Sequence, residues 1–366
     1  MEVTRRDLFK GAAATGAAAA LGISAAVGNA AGADEAAANP YLDIYGGEVN
    51  YLPVKKAGEW GYMQGTPAFE DREIGEDELM WTESCDFVVV GAGICGIMAT
   101  LKAGEMGADV VCIEKTSRGR NTWESVGGYG SRAQAESGNE VDPARFVDAI
   151  LRSGYYRAIP EVVWSYVRNS GEAIDFMQDM IDQTEYDIDI WNTTQPETGY
   201  DLVTIQAEHK FRVNGPVEWT AHLTGMFPMA ALTARAEAME NVSLRMYTAG
   251  VQLVQDGDGR VTGIVAKNED GYYRIDAAKG VLLATGGYEC NHELMKAWLR
   301  PEDYMYSVPD FPCVGPTGDG HMMGLRVGAN MDPIPHAPMI FNGTCPDIRS
   351  SNHLSIRRTV YAVSPM

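Results

Sequence analysis

Gly91, Gly93 and Gly96, followed about 20 residues on by Glu114, are the residues whose types and spacing state a chemistry most directly. A glycine at 91 permits a tight strand-to-helix turn. At 93 it keeps side-chain volume away from a pyrophosphate approaching the backbone amides, and at 96 it lets a helix close on its strand. The helix N-terminus then favours the phosphates. An acid at position 114 can accept both hydroxyls of a ribose and repels a 2′-phosphate, which excludes NADP here but leaves NAD and FAD open. The six cysteines (Cys85, Cys95, Cys112, Cys290, Cys313, Cys345) form no C-x-x-C and no C-x-x-C-H, so no zinc ribbon or covalently attached haem is expected. His209, His222, His292, His321 and His353 lack metal-ligand spacing, and no metal site is expected.

The elements that must position these residues can be read from the apolar pattern. Asp86 to Val90 is a short apolar run bounded by glycines, the mark of a buried parallel strand. Ile97 to Met106 carries small or apolar residues at helical spacing and ends at Gly107. Val110 to Ile113 makes a second strand that delivers Glu114, completing a β-α-β opening. Further on, Val251 to Val254, Gly259 to Ala266, Tyr272 to Ile275 and Gly280 to Ala284 lie between Asp/Gly turn signals and predict a small antiparallel meander returning to the main sheet. Its last strand ends at Gly286 and Gly287, where small residues let a ligand approach the backbone. Pro143 to Ser153, Pro160 to Ile181 and Met229 to Met239 predict helices whose Met, Trp and Phe residues are packing residues. The fold class expected is α/β: a Rossmann-like domain with a parallel sheet, helices and a small antiparallel meander.

Composition sets the outer bounds. The 366 residues are 45% hydrophobic and include 40 glycines, consistent with a globular core, and the net charge of −21 opposes nucleic acid or an anionic membrane as partner. Arg5 and Arg6 precede an Ala/Gly-rich run from Gly11 to Gly28 and a small-residue cleavage site at Ala31 to Ala33. This order predicts a signal peptide of the twin-arginine type over residues 1–33, and export to the periplasm or the outer face of the cytoplasmic membrane. Alanine and glycine partition weakly into lipid, so no stable membrane span is expected after cleavage. An acidic N-terminal extension follows at 34–84.

Four motifs, Gly91 to Lys115, Asn121-Thr122 with Gly127-Gly128, Val281 to Tyr288, and Thr317 to Gly320, resemble the FAD-dependent fumarate reductase/succinate dehydrogenase flavoprotein family. The similarity is to its soluble branch, which includes urocanate reductases and 3-ketosteroid dehydrogenases. The resemblance implies an FAD-binding domain over 85–330 and the start of a capping domain, C-terminally truncated, over 331–366. It implies that Cys95 and Glu114 touch the adenosine half of FAD and that the Val251 backbone touches adenine. Asn121, Thr122, Val126 and Gly127 would line the ribityl and isoalloxazine region, with Asp319 as a flavin-contacting carboxylate. Asn121 occupies the place of a histidine that carries covalent flavin in the membrane-bound branch, which implies non-covalent FAD.

The activity implied is hydride transfer between flavin N5 and an activated C=C of a small conjugated acid or enone, with an external electron donor. Gly128, through its amide, and His336 are the substrate-binding residues this resemblance suggests. The family's catalytic arginine has no counterpart marked by a motif here, since the chain stops at Met366. An alternative expectation is therefore a catalytically incompetent FAD-binding remnant that needs another chain.

Overall fold

The structure is a computed structural model that describes residues 67–336, apart from 117–118, 120–124, 140, 155, 193–206, 214–225 and 307–315, together with 339–340 and 362–363. The expected signal peptide, most of the extension, Asn121 and Thr122 lie outside the described residues. In chain order the elements are β1 (Leu79–Val90), α1 (Ile94–Glu105), β2 (Val110–Ile113), β3 (Ser125–Gly127), α2 (Arg132–Ser137), α3 (Pro143–Ser153), α4 (Pro160–Ile181), β4 (Ile188–Asn192), β5 (Glu208–Val213), α5 (Met226–Glu237) and β6 (Val242–Arg245). They continue with β7 (Ala249–Gln255), β8 (Val261–Asn268), β9 (Gly271–Leu283), α6 (His292–Trp298), α7 (Pro301–Tyr306), α8 (Asp319–Arg326), β10 (Met339–Ile340) and β11 (Ala362–Val363). They fall into two compact units. One is built from described residues up to 92, from 107–119 and from 243 onward, the other from 93–106 and 120–242.

The first unit is organised by a six-stranded sheet in the order β6-β2-β1-β9-β8-β7. β1 runs parallel to β2, with Phe87 opposite Val110 and Val90 opposite Ile113, and parallel to β9, with Val88 opposite Val281. Val88, Val89 and all four residues of β2 are buried, as a strand covered on both faces requires. β7, β8 and β9 are antiparallel neighbours. The two strands expected at 272–275 and 280–284 are one 13-residue strand. The break suggested by the sequence survives as an irregularity: the register shifts between Cys85 and Phe87 on β1, and Gly280 faces it at φ +143°. β1 likewise starts at Leu79, because its upstream half pairs with the meander half of β9. Val88, Val90, Ile113, Ile264, Ile275 and Met323 belong to the core cluster that joins this sheet to α8.

The second unit holds α1 to α5 and a three-stranded antiparallel sheet in the order β3-β5-β4. The sequence pattern hid this sheet, since β3 is three residues long and β5 reads Glu-His-Lys-Phe-Arg-Val. α3 and α4 have the predicted bounds. Each has proline in its first turn, and Asp142 caps α3 by accepting the Ala144 and Arg145 amides. α4 buries Val163, Val167, Ile174, Met177 and Ile181. A Cβ at Gly171 would lie 2.5 Å from the Tyr129 carbonyl oxygen, so α4 and the 129–130 loop are in backbone contact.

Candidate functional site: the carboxyl edge of the parallel strands

In the first unit, β1, β2 and β9 end side by side, and the chain leaves each through residues singled out by the sequence. Gly91 follows β1 at φ +100°, where a Cβ would stand 2.4 Å from the Ala284 carbonyl oxygen. Only glycine fits both constraints. The next amide, Ala92 N, donates to Glu114 Oε2 at 2.9 Å. Glu114 Oε1 accepts the Thr116 amide and the Thr116 hydroxyl, both at 2.8 Å, and the whole side chain is buried. An ionised carboxylate offers about four acceptor positions, so three internal donors fix Glu114 and leave acceptor capacity on Oε2.

The connection from β6 to β7 reinforces this loop. Tyr247, at φ 52°, donates its amide to Thr116 O at 3.0 Å, and Thr248 N donates to Glu114 O at 2.8 Å. Val251 lies between Gly250, paired with Ala266, and Gln252, paired with Val265, which is a bulge. Its side chain is in the core while its backbone sits where the ladder is interrupted, the arrangement in which a main chain can serve a ligand. Gly250 makes room beside it: a Cβ there would press on Ile264 and Val90 at 2.7 and 2.8 Å.

At the end of β9, Gly286 adopts φ +73° and Gly287 accepts the Gly318 amide at 3.1 Å. Gly318, at φ +79°, turns the chain into α8, and a Cβ at Gly320 would lie 2.2 Å from Thr285 Oγ1. The opening of α8 is thus seated on the end of β9. Asp319, the first residue of α8, is buried, and its carboxylate is taken up within the chain by Lys115, Thr317 and the amides of Ala68 and Phe69. Gly91, Glu114, Val251, Gly286, Gly287 and Asp319 are therefore brought to one edge. Thr116 and the 68–69 segment were missed in the sequence, and Lys115 and Thr317, though inside the motifs quoted above, were given no role there.

In the second unit, Gly93 caps α1 at φ −63°, and a Cβ there would meet nothing within 4 Å. Its backbone tolerates any residue and the volume at the head of the helix is open, so no contact within the described residues requires glycine there. Cys95 is exposed in the first turn of α1 and Gly96 is buried in it. Val126 and Gly127 pair with His209 and Glu208 in the β3-β5 ladder. The Gly128 amide, expected to face a substrate, instead donates to Ala207 O at 2.9 Å, and a Cβ at Gly128 would strike Ile174 at 2.1 Å. Glycine at 128 serves the packing of that loop on α4. His209 itself is buried between Ser131 Oγ at 2.6 Å and Ala207 O at 2.9 Å, and burial lowers its pKa.

His336, the other expected substrate residue, is buried in the first unit with both ring nitrogens occupied. Nδ1 pairs with the Tyr288 hydroxyl at 2.6 Å, and Nε2 donates to Asp332 O at 3.1 Å, since a carbonyl only accepts. Trp298 packs edge-on against Tyr288 at 4.8 Å, and its carbonyl accepts the His336 amide. His321 stands beside this cluster with its pKa lowered, first by burial and then by His336. In this setting His336 is a packing residue that anchors the segment after α8.

A parallel sheet whose carboxyl edge carries a glycine turn, a tethered acid and a helix opening defines a dinucleotide-binding α/β protein. Comparison with known proteins narrows this: residues 86–359 match the model of the FAD binding domain, and residues 2–22 match the twin-arginine translocation signal sequence. The chain belongs to the FAD binding domain family. It is 26% identical over 258 residues to a probable fumarate reductase of Shewanella frigidimarina, covering 69% of this chain and 40% of that protein. It is 28% identical over 274 residues to a urocanate reductase of Eggerthella lenta, covering 68% of this chain and 39% of the relative. The chain thus spans about two fifths of these relatives. The fold is similar to that of the open conformation of a flavocytochrome c3 fumarate reductase, with a TM-score of 0.59 and 22% identity over 76% of this chain and 47% of that one. Among the described residues, no helix is long and apolar enough to cross a membrane.

Proposed function

We propose that this chain is the flavin-holding part of an exported oxidoreductase, in which non-covalent FAD exchanges hydride with an activated C=C of a small conjugated acid or enone. The observation that carries this reading is the meeting of Gly91, Glu114, Gly286, Gly287 and the opening of α8 at one edge of one sheet. When bound, FAD supplies the hydride chemistry. The chain binds and orients it: Glu114, held by Ala92 and Thr116, accepts from the ribose; Val251 offers its backbone to adenine; the glycines at 91, 93, 286 and 287 leave room for close approach. Cys95, Thr122, Val126 and Gly127 complete the contacts in this reading, and Asn121, in place of a linking histidine, supports the non-covalent mode. The names of the reductase relatives support a conjugated acceptor. The twin-arginine match supports export, with delivery to the periplasm or the outer membrane face and an external electron donor as the finer parts of the proposal. Residues 331 onward are proposed to open a capping domain.

Acid precipitation of the yellow protein tests the cofactor. All FAD should appear in the supernatant; colour held in the pellet overturns the non-covalent mode, and protein purified without flavin after incubation with FAD overturns the cofactor. Anaerobic oxidation of a reduced dye with fumarate, urocanate or a steroid enone tests the acceptor class. Stimulation by one of them supports it, and stimulation by none favours a chain that holds flavin but needs another chain for turnover.

A further inference from the structure

Asp319 has its acceptor capacity filled from three directions. Oδ1 accepts the amides of Ala68 at 2.7 Å and Phe69 at 3.0 Å; Oδ2 accepts the Lys115 ammonium at 2.7 Å and the Thr317 hydroxyl at 2.8 Å. The Lys115 ammonium also donates to Thr317 Oγ1 at 2.7 Å, and the Lys115 and Asp319 side chains are only 14% and 5% exposed. With about four acceptor positions on a carboxylate, none is left for another donor. A ligand beside α8 would find the main-chain amides of its first turn, which have no partner within the helix.

Three stretches far apart in sequence meet at this ion pair. Lys115 belongs to the loop that carries Glu114, Asp319 opens α8, and Ala68-Phe69 is the strap of chain ahead of β1. The strap has a second, separate anchor: Arg326 donates to the carbonyls of Glu70 and Arg72 at 2.9 and 2.7 Å and lies 4.4 Å from the Phe69 ring centre. Loss of the ion pair would leave the 68–69 amides on a carboxylate without its cation and loosen that contact, while Arg326 still holds the Phe69 ring and the carbonyls at 70 and 72.

We infer that Lys115 is a positioning residue for the cofactor. It ties the Glu114 loop to the opening of α8 and, through the far oxygen of Asp319, clamps the strap. This rests on the FAD reading above. Removing one partner of a buried pair leaves the other charge uncompensated, so the tie cannot relax without movement of the loop, the turn or the strap. Lys115→Arg keeps the charge and the donors, whereas Lys115→Met keeps only the length.

The test uses the whole chain as parent, Lys115→Met, Lys115→Arg and Thr317→Val. FAD affinity is measured by flavin fluorescence quenching, and amide hydrogen exchange is followed without FAD at Ala68, Phe69 and, as control, Ile74, whose amide is held by Gln252. Lys115→Met should weaken FAD binding by about tenfold or more and speed exchange at Ala68 and Phe69 but not Ile74. Lys115→Arg should restore most of both. FAD affinity equal to the parent in Lys115→Met, or exchange rising equally at Ile74, overturns the assignment. If Lys115→Met does not fold, Thr317→Val, which removes only the bridging hydroxyl, should shift both readouts in the same direction, and no shift in either overturns the proposal. A parent that takes up no FAD sinks the FAD reading and the cofactor role with it, while the exchange comparison still decides the clamp.

Discussion

Two glycines of one turn do different work, and substitution separates them. At Gly91 the backbone is left-handed and a Cβ would collide with Ala284 O, so Gly91→Ala should lower stability by about 1–3 kcal/mol or more. At Gly93 the backbone is ordinary and the space is open. Gly93→Val should therefore fold with a denaturation midpoint near that of the parent yet retain no flavin, because its side chain fills the volume a pyrophosphate needs. Equal flavin occupancy in Gly93→Val and parent would place the phosphates elsewhere. Histidines set a second residue-scale property. His209 and His321 both have pKa values lowered by burial from the ordinary 6.5, so the unfolded chain takes up protons that the folded chain does not. Stability should fall as pH drops below about 6.5, seen as a declining melting temperature between about pH 7.5 and 5.5. His209→Gln with His321→Gln should flatten that slope; a parent slope already flat would refute the assignment.

Elements whose signal is local were legible in the sequence, and those set by distant partners were not. The β1-α1-β2 opening, α3 and α4 follow from an apolar run, a glycine turn and prolines at helix starts, each read within a dozen residues. The extension of β1 back to Leu79 was hidden because Met80, Trp81 and Thr82 are exposed and show no buried alternation, and what makes them a strand is β9, nearly 200 residues later. The candidate site divides in the same way. Glu114 announces itself by spacing, whereas the bond from Lys115 to Asp319 has no local trace. The intrachain contacts of Gly128 and His336 could not be read in the sequence either, because a glycine pair and a histidine in a loop look alike whether they face a ligand or a neighbour's side chain. Packing accounts for Gly171 as well. Gly171→Ala would push a Cβ against the backbone of Tyr129 and Gly130, so α4 must shift, at a cost of roughly 1–3 kcal/mol. A lower midpoint in urea with an unchanged slope would verify it, and an unchanged midpoint would mean that the loop yields freely.

For the molecule as a whole, the leader and the domain make a joint demand. The twin-arginine match covers the Arg5-Arg6 pair, and Arg5→Lys with Arg6→Lys should leave a cytoplasmic precursor longer than the exported form by about the 33 residues of the leader. Normal export of that double variant would point to the general secretory route. Completing the central sheet is not quick for this topology. β1 leaves the ribosome early, but its partner β9 ends at Leu283, with the whole second unit encoded in between. At about 5–20 residues per second, translation alone keeps β1 waiting for some 10–40 s with one edge unpaired. During that interval the nascent chain presents an apolar strand edge to every other chain nearby, so yield in the cell depends on how quickly residue 283 is reached, or on a chaperone that shields β1 until then.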